Sequence, residues 1–216
     1  MKINKKGLGL FLMLILSSNT YSATLVIEGG QLIGADGITF DGYTGSVRFV
    51  EGTCEDLFNG CDDASDLVFQ SHTSSNFEAE QLANAANFSL LNQVFNAFPL
   101  YDLNVELTFG CKEGTTVALG WCSIRTPVFT NGNEFVAVVG VRNDENDVND
   151  FVFDGGATPI TNSTIPLNPD QVDRVVYAAW TVTPVPLPAA GPLFFSAMCM
   201  LGYFGKRRRS SQPLVS

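Results

Sequence analysis

The stretch Ile124–Arg142, IRTPVFTNGNEFVAVVGVR, sets the expected fold class. Two runs rich in Val, Phe and Thr, Ile124–Phe129 and Phe135–Arg142, flank an Asn-Gly-Asn sequence, which is typical of two strands joined by a turn. The same composition extends over about 160 residues, enough to bury a hydrophobic core. We therefore expect a mainly β body, a small sandwich of antiparallel sheets.

Other strands are predicted on both sides of this stretch. Short runs of β-branched and aromatic residues alternate with Gly, Asn and Asp, as expected for strands and turns. The Gly29-Gly30 pair between the first two runs predicts a tight hairpin. The further predicted strands are Thr24–Glu28, Gln31–Gly34, Ser46–Glu51, Leu67–Gln70, Asn104–Phe109, Thr116–Trp121, Phe151–Phe153 and Arg174–Thr183.

One segment, about residues 75–97, departs from the strand pattern. Ser75 and Glu78 form a capping box, and Pro99 ends the run. Apolar side chains recur at helical spacing at Ala79, Leu82, Ala83, Ala86, Leu90 and Val94. The pattern predicts one amphipathic helix whose apolar stripe packs on a sheet. The alternative is a helix that binds a partner.

Four of the five cysteines lie in the predicted β body, and Cys199 lies in an apolar tail. Cys54 and Cys61 flank a short acidic loop, and Cys111 and Cys122 flank a turn-rich segment. An exported chain meets an oxidising compartment, so we expect two disulfides. Four cysteines allow three pairings, of which the local one is the simplest. A zinc site lacks ligands, because the chain has one histidine and no Cys-x-x-Cys.

The N-terminal residues 1–22 have the three parts of a secretory signal peptide. Lys2, Lys5 and Lys6 precede an apolar run from Leu8 to Leu16, and small residues follow. The apolar run is short for a membrane span. We expect cleavage near Ser22 and an extracellular β-rich domain at residues 23–182.

The C-terminal region contains a second localisation signal, residues 183–209. The motif VPLPAAG at residues 185–191 precedes an apolar segment at 192–205, and about twenty residues counted from Val185 could cross a bilayer once. A basic stop-transfer cluster follows and is expected to stay cytoplasmic, together with a tail at residues 210–216. The cluster consists of Lys206, Arg207, Arg208 and Arg209.

This order of motif, apolar span and basic cluster resembles the PEP-CTERM sorting signals, specifically the VPLPA variety. The resemblance covers about 25 residues, and residues 210–216 extend beyond the usual end of such signals. It implies recognition by an exosortase, a membrane-embedded, cysteine protease-like enzyme of Gram-negative bacteria. It further implies that the tail is cut near the motif and the body released or transferred to the cell surface or extracellular matrix. The implied recognition residues are Val185, Pro186, Leu187, Pro188 and Ala189.

The body itself resembles a group of exported proteins of unknown activity that carry such tails. The residues behind this resemblance are VEGTCEDLFNGCDDASDLVFQ, residues 50–70, followed by a helix and then by LTFGC and GWCSIRTPV. This resemblance implies membership of a class of exported proteins, but it implies no enzymatic or binding activity.

The charge of the body excludes some partners. All 22 acidic residues lie within residues 23–182, but only five of the 12 Lys and Arg do, so its net charge is about −17. Such a body repels nucleic acid and anionic headgroups, and we expect no nucleic-acid partner. The charge suits solubility outside a cell or binding of divalent cations.

Two acidic loops are weak candidates for calcium, since closely spaced side-chain oxygens are the ligands that calcium needs. Neither loop matches the EF-hand pattern, and Asn and Asp also favour ordinary solvated turns. The candidate ligands are Asp62, Asp63 and Asp66 in the first loop and Asp144, Asp147 and Asp150 in the second. No other cofactor is expected.

No catalytic motif is present in the sequence. A Ser-His-Asp triad would need His72, the only histidine, and no G-x-S-x-G nucleophile elbow occurs. With 22 acidic residues, a pair of carboxylates is always available and carries no information. Aromatic side chains could stack on sugars, although aromatics on strands more often belong to a core. The stacking candidates are Trp121, Trp180, Tyr43, Tyr101 and Tyr177.

The sequence therefore favours an exported, inner-membrane-anchored precursor that becomes a non-enzymatic surface or matrix protein associated with exopolysaccharide or biofilm. A carbohydrate-binding module, with or without calcium, is the first alternative. A secreted hydrolase is the second.

Overall fold

The computed structural model of the chain describes residues 23–70, 77–111, 121–132, 134–145, 150–160 and 175–185. The chain divides into two compact units, residues 1–183 and 184–216. All the described residues except Pro184 and Val185 belong to the first unit. The predicted signal peptide, the sorting motif after Val185, the apolar span and the basic cluster lie outside the described residues.

The body is mainly β, as predicted, and its described strands form one sheet. Their order across the sheet is β1-β2-β3-β7-β4-β5-β6. The strands are β1 (Thr24–Glu28), β2 (Gln31–Phe40), β3 (Tyr43–Val50), β4 (Trp121–Thr130), β5 (Phe135–Asp144), β6 (Phe151–Pro159) and β7 (Val175–Pro184).

The predicted sandwich of antiparallel sheets differs from this arrangement. Strands β1 to β3 and β4 to β6 each form an antiparallel meander, as predicted. Strand β7 lies between the two meanders and pairs with β4 in parallel, for example Ile124 with Val176. The described strands therefore build one mixed sheet. A central strand is buried on both faces, and Val175 to Ala178 are all buried.

The predicted hairpin at Gly29-Gly30 is confirmed. Both glycines have positive φ, 58° and 87°, as a two-residue type I′ turn requires. The next hairpin, between β2 and β3, turns at Asp41 and Gly42 with φ of 40° and 80°. Asp tolerates this left-handed conformation better than most residues.

The predicted helix is present as α2 (Phe77–Leu90), which continues into a π-helical turn at Leu91–Phe95. Its predicted apolar stripe packs on the sheet, with Ala83, Ala86, Leu90 and Val94 fully buried. Short helices flank it, α1 (Cys54–Leu57) and α3 (Pro99–Asp102), together with 3-10 turns at Ala64–Asp66 and Val105–Leu107. Ser75 of the predicted capping box lies outside the described residues.

Two of the predicted strands are wrong. Leu67–Gln70 is a bent segment in which buried Leu67 and Phe69 alternate with exposed Val68 and Gln70. Asn104–Phe109 contains a 3-10 turn and one isolated bridge, Leu32 to Thr108. Thr116–Trp121 lies outside the described residues except for Trp121, which begins β4.

The two faces of the sheet carry separate hydrophobic clusters. On β7, Val176, Ala178 and Trp180 belong to the larger cluster, which also contains the buried side chains of α2. Tyr177 points to the opposite face and packs with the smaller cluster around Cys54 and Cys61. Within the described ranges, no helix is long and apolar enough to cross a membrane.

Both predicted disulfides are present with the local pairing. Cys54 is bonded to Cys61, with 5.6 Å between their Cα atoms. Cys111 is bonded to Cys122, with a Cα separation of 5.7 Å. All four cysteines are fully buried, so each bridge is part of a hydrophobic cluster.

Candidate functional site

A groove of about 410 Å³ lies between the β2–β3 turn, the bent segment after α1, and the first turns of α2. We call it the Tyr43 groove. It combines apolar and polar lining, and the residues that matter below are Asp41, Tyr43, Phe69, Gln70, Glu78 and Gln81. Its volume falls in the range of small-molecule sites in proteins.

The turn between β2 and β3 positions one wall of the groove. Because Asp41 and Gly42 form a two-residue turn, Phe40 and Tyr43 pair across the hairpin. Asp41 is exposed at the tip, and Tyr43 is half-buried at the start of β3. The carboxylate and the phenol ring therefore border the groove from one rigid hairpin.

Aromatic packing fixes the orientation of Tyr43. Its ring stacks on Phe40, with centroids 6.2 Å apart and planes inclined by 23°. Phe40 in turn meets Trp180 edge to face at 5.8 Å, and Phe69 meets Trp180 in the same way at 6.0 Å. Tyr43 is thus the outermost ring of a four-ring cluster whose inner members are buried.

The opposite wall comes from α2. Glu78 and Gln81 lie three residues apart, on one face of the helix, and both are exposed. A contact farther along the chain holds this helical region on β2. The Gln93 side chain accepts from the Thr39 N–H at 3.2 Å and donates to the Thr39 carbonyl at 2.8 Å. This contact joins the π-helical turn that follows α2 to the strand that leads into the β2–β3 turn.

The described lining of the groove is acidic. Asp41 and Glu78 are carboxylates, Gln70 and Gln81 are amides, and none of the described lining residues is a cation. Two of the five cations of the body are held in ion pairs elsewhere: Arg48 with Asp36 at 2.8 Å and Arg142 with Asp144 at 3.0 Å. The Arg48 guanidinium lowers the pKa of Asp36 by hydrogen bonding.

The five aromatic residues that were predicted to stack on sugars differ in their exposure. Trp180, Tyr101 and Tyr177 are at most 5% exposed and belong to the core. Tyr43 and Trp121 are half-buried and can meet a ligand. The face of Trp121 is already in contact with a cation, since the Arg142 guanidinium lies 5.0 Å from the centre of its ring.

The first acidic loop uses its carboxylates to stabilise its own turns. Asp63 accepts from the Ser65 N–H at 2.8 Å, and Asp66 accepts from the Asp63 N–H at 3.0 Å. Asn59 donates to Asp66 at 2.9 Å, and this hydrogen bond is the main cause of a lowered pKa of Asp66. Asp62 is exposed beside them.

In the second acidic loop, one carboxyl has a raised pKa. Asp150 accepts from the Asp144 N–H at 2.9 Å. Burial raises the pKa of Asp150 to about 7, and the hydrogen-bonded carboxyl of Asp102 and the charge of Asp144 act in the same direction. Asp147 lies outside the described residues. In the described ranges, no group of three or more acidic, His or Cys side chains is arranged to hold a metal ion.

The Asp102–Asp150 pair was not predicted from the sequence. The two carboxyls lie close to each other, at the end of α3 and at the residue before β6. Glycosidases need carboxyls about 5 Å apart or more, with substrate between them. Two neighbouring carboxyls, one of which has a raised pKa, suit a structural role, since a proton on one of them removes their repulsion. His72, the only candidate for a triad, lies outside the described residues.

The groove residues other than Tyr43 were missed by the sequence analysis. Asp41, Gln70, Glu78 and Gln81 come from three separate segments of the chain. Each is an ordinary polar residue of a turn or helix surface, and no local pattern connects them. No family model, curated protein or solved structure gives a significant match to the chain.

Proposed function

We propose that this chain is exported, recognised by an exosortase through its C-terminal signal, and delivered as a folded body to the cell surface or extracellular matrix. The observation that carries the proposal is the order of the VPLPAAG motif, an apolar segment and four consecutive cations in residues 185–209. A simple membrane anchor explains the apolar segment and the cations. It does not explain the proline-containing motif before them.

The folded body supports export. Both disulfides, Cys54–Cys61 and Cys111–Cys122, are buried in hydrophobic clusters. Such bonds form and persist in oxidising compartments outside the cytoplasm. The acidic body, with a net charge of about −17, repels the anionic headgroups of the membrane that the precursor crosses.

We propose further that the body acts without catalysis, as a component associated with exopolysaccharide. In its acidic loops, Asp63 and Asp66 form a helix cap, Asp144 an ion pair, and Asp150 a carboxyl pair with Asp102. These contacts stabilise turns and strand ends, which suits a body that has to persist outside the cell.

Substitution of the motif tests the sorting step. We expect the Pro186→Ala, Pro188→Ala double variant to accumulate in the membrane fraction at the mass of the uncut precursor. The matched control is Pro213→Ala, which removes a proline beyond the basic cluster and should be cut like the unaltered chain. Both are compared by intact mass in cells that carry the exosortase. Equal processing of the two variants would contradict the proposal.

A further inference from the structure

We propose that the Tyr43 groove binds a glycan chain free of acidic groups, one built of neutral or amino sugars. The source of the glycan, the extracellular material around the body, follows from the proposed function, on which this inference rests. The position of the site and the class of sugar follow from the structure.

The shape of the groove suits a chain rather than an enclosed small molecule. It is an open depression of about 410 Å³ on the surface between a hairpin and a helix. An open site does not enclose its ligand, so a glycan chain can continue beyond it.

The lining matches the two kinds of surface that a sugar presents. The C–H face of a sugar ring is apolar, and the half-buried ring of Tyr43 supplies aromatic surface for it. Hydroxyl groups need hydrogen-bond acceptors and donors, and Gln70, Gln81 and Glu78 supply both from the walls. A few polar groups placed around an aromatic surface are typical of a ligand site.

The charge of the groove selects among glycans. Asp41 and Glu78 place two carboxylates on opposite walls, and the described lining contains no cation to balance them. An acidic sugar would meet like charges at short range, which is unfavourable. A neutral sugar meets hydrogen-bond acceptors, and the ammonium group of an amino sugar would gain a favourable ion pair.

The site is preorganised, which reduces the entropy lost on binding. Tyr43 is held against Phe40 by stacking, and Phe40 is anchored on the buried Trp180. The paired hydrogen bonds between Gln93 and Thr39 hold the far end of the helical region on β2. Trp121 is less suited to stack on a sugar than Tyr43, because the Arg142 guanidinium already lies over its ring.

Binding is tested with the full-length chain in detergent by isothermal titration calorimetry. The probes are hexamers of N-acetylglucosamine, glucosamine and galacturonic acid. We expect binding of one or both of the first two and at least about tenfold weaker binding of galacturonate. Tyr43→Ala should weaken binding about tenfold or more, and Tyr43→Phe should weaken it less than about threefold.

Trp121→Ala is the matched control, since it removes a half-buried aromatic side chain of the sheet that does not line the groove, and it should leave the affinity unchanged. Because Tyr43 packs on Phe40, Tyr43→Ala can lower stability. The exposed Glu78→Gln, Gln81→Ala double variant therefore tests the same groove without touching the core, and we expect it to weaken binding about fivefold or more.

Three results would overturn the proposal: no binding of any probe, preference for galacturonate, or loss of affinity with Trp121→Ala while Tyr43→Ala binds normally. The Pro186→Ala, Pro188→Ala variant separates this inference from the sorting proposal. It should bind glycan like the unaltered chain while it fails to be processed. A defect in one property therefore says nothing against the other.

Discussion

Thr126 of β4 and Asn87 of α2 are joined by a hydrogen bond of 3.1 Å in the buried core, from the Thr126 hydroxyl to Asn87 Oδ1. The Trp180 indole N–H donates to the same Thr126 hydroxyl at 3.0 Å, and Asn87 Nδ2 donates to the Ala83 carbonyl at 2.9 Å. This network ties the helix to two strands. It also fixes Trp180, on which the aromatic cluster behind the Tyr43 groove is built.

Thr126→Val tests the network. Valine keeps the shape of threonine but leaves the Trp180 N–H and Asn87 Oδ1 without this partner in a buried site. Each unsatisfied group costs about 1–3 kcal/mol, so we expect the free energy of unfolding to fall by about 2–4 kcal/mol. Chemical denaturation measures the change.

Ser123→Ala is the control for Thr126→Val. Ser123 is also buried on β4, and its hydroxyl finds no hydrogen-bond partner within the described residues. Its removal should change the unfolding free energy by less than about 1 kcal/mol. Equal losses in the two variants would mean that the hydroxyl of Thr126 has no special role.

Asp150 makes stability depend on pH in a direction unusual for a carboxylate. Its pKa in the folded protein is about 7, above the ordinary unfolded value of about 4. Between these values the unfolded chain releases the proton and the folded protein keeps it. The stabilisation of the folded protein that comes from the raised pKa of Asp150 is therefore fully present below about pH 4 and is lost as the pH rises to about 7.

Asp150→Asn removes this titration. The amide oxygen can still accept from the Asp144 N–H, and the amide nitrogen can donate to Asp102. We expect the variant to gain stability over the unaltered protein by on the order of 1–2 kcal/mol between pH 4.5 and pH 8, discounted for the partial exposure of the group. A stability difference that stays constant with pH would contradict the raised pKa.

The two disulfides should make separate contributions to stability. Their sequence separations are 7 for Cys54–Cys61 and 11 for Cys111–Cys122. Loops of this size give about 2.5–3 kcal/mol each in the chain-entropy model. We expect paired Cys→Ser replacement at either bridge to lower the unfolding free energy by about that amount, measured by denaturant titration. Unchanged stability after loss of one bridge would show that its loop is already constrained.

Gly110 is expected to resist substitution more strongly than Gly30, another glycine with positive φ. It has a φ of +75°, and a Cβ placed there would overlap Val176 Cγ1 and approach Glu51 Cγ within 3.0 Å. Gly30, with a φ of +87°, has open space around it. Gly30→Ala should cost about 1 kcal/mol from backbone strain alone, and Gly110→Ala about 3 kcal/mol or more. Similar melting temperatures for the two variants would contradict the close packing.

The sequence predicted the features that local patterns determine. The runs around Ile124–Arg142 form adjacent antiparallel strands, Gly29-Gly30 forms a turn, and the helical periodicity near Ala83 corresponds to α2. The parallel insertion of β7 could not be predicted, because it depends on a pairing between Ile124 and Val176 that are far apart in the chain. Distant pairing leaves no periodic signal.

One of the two wrong strands has a clear physical cause. In Leu67–Gln70, buried and exposed side chains alternate because Leu67 and Phe69 are drawn into the two different hydrophobic clusters. The alternation is that of a strand, but among the residues that the structure describes the segment has no hydrogen-bonded partner strand. The groove could not be predicted either, because its residues come from three separate segments of the chain. Only Tyr43 among them was a candidate for ligand binding from the sequence.

The most direct test of export and sorting is the intact mass of the protein recovered from the producing cells, in separate membrane and medium fractions. We predict a chain that begins near Ala23, ends within Val185–Gly191 and is lighter than the fully reduced form by four hydrogen atoms because of two disulfides. A membrane-bound chain that still carries Arg207–Ser216 would contradict the account, since the tail would then be only an anchor.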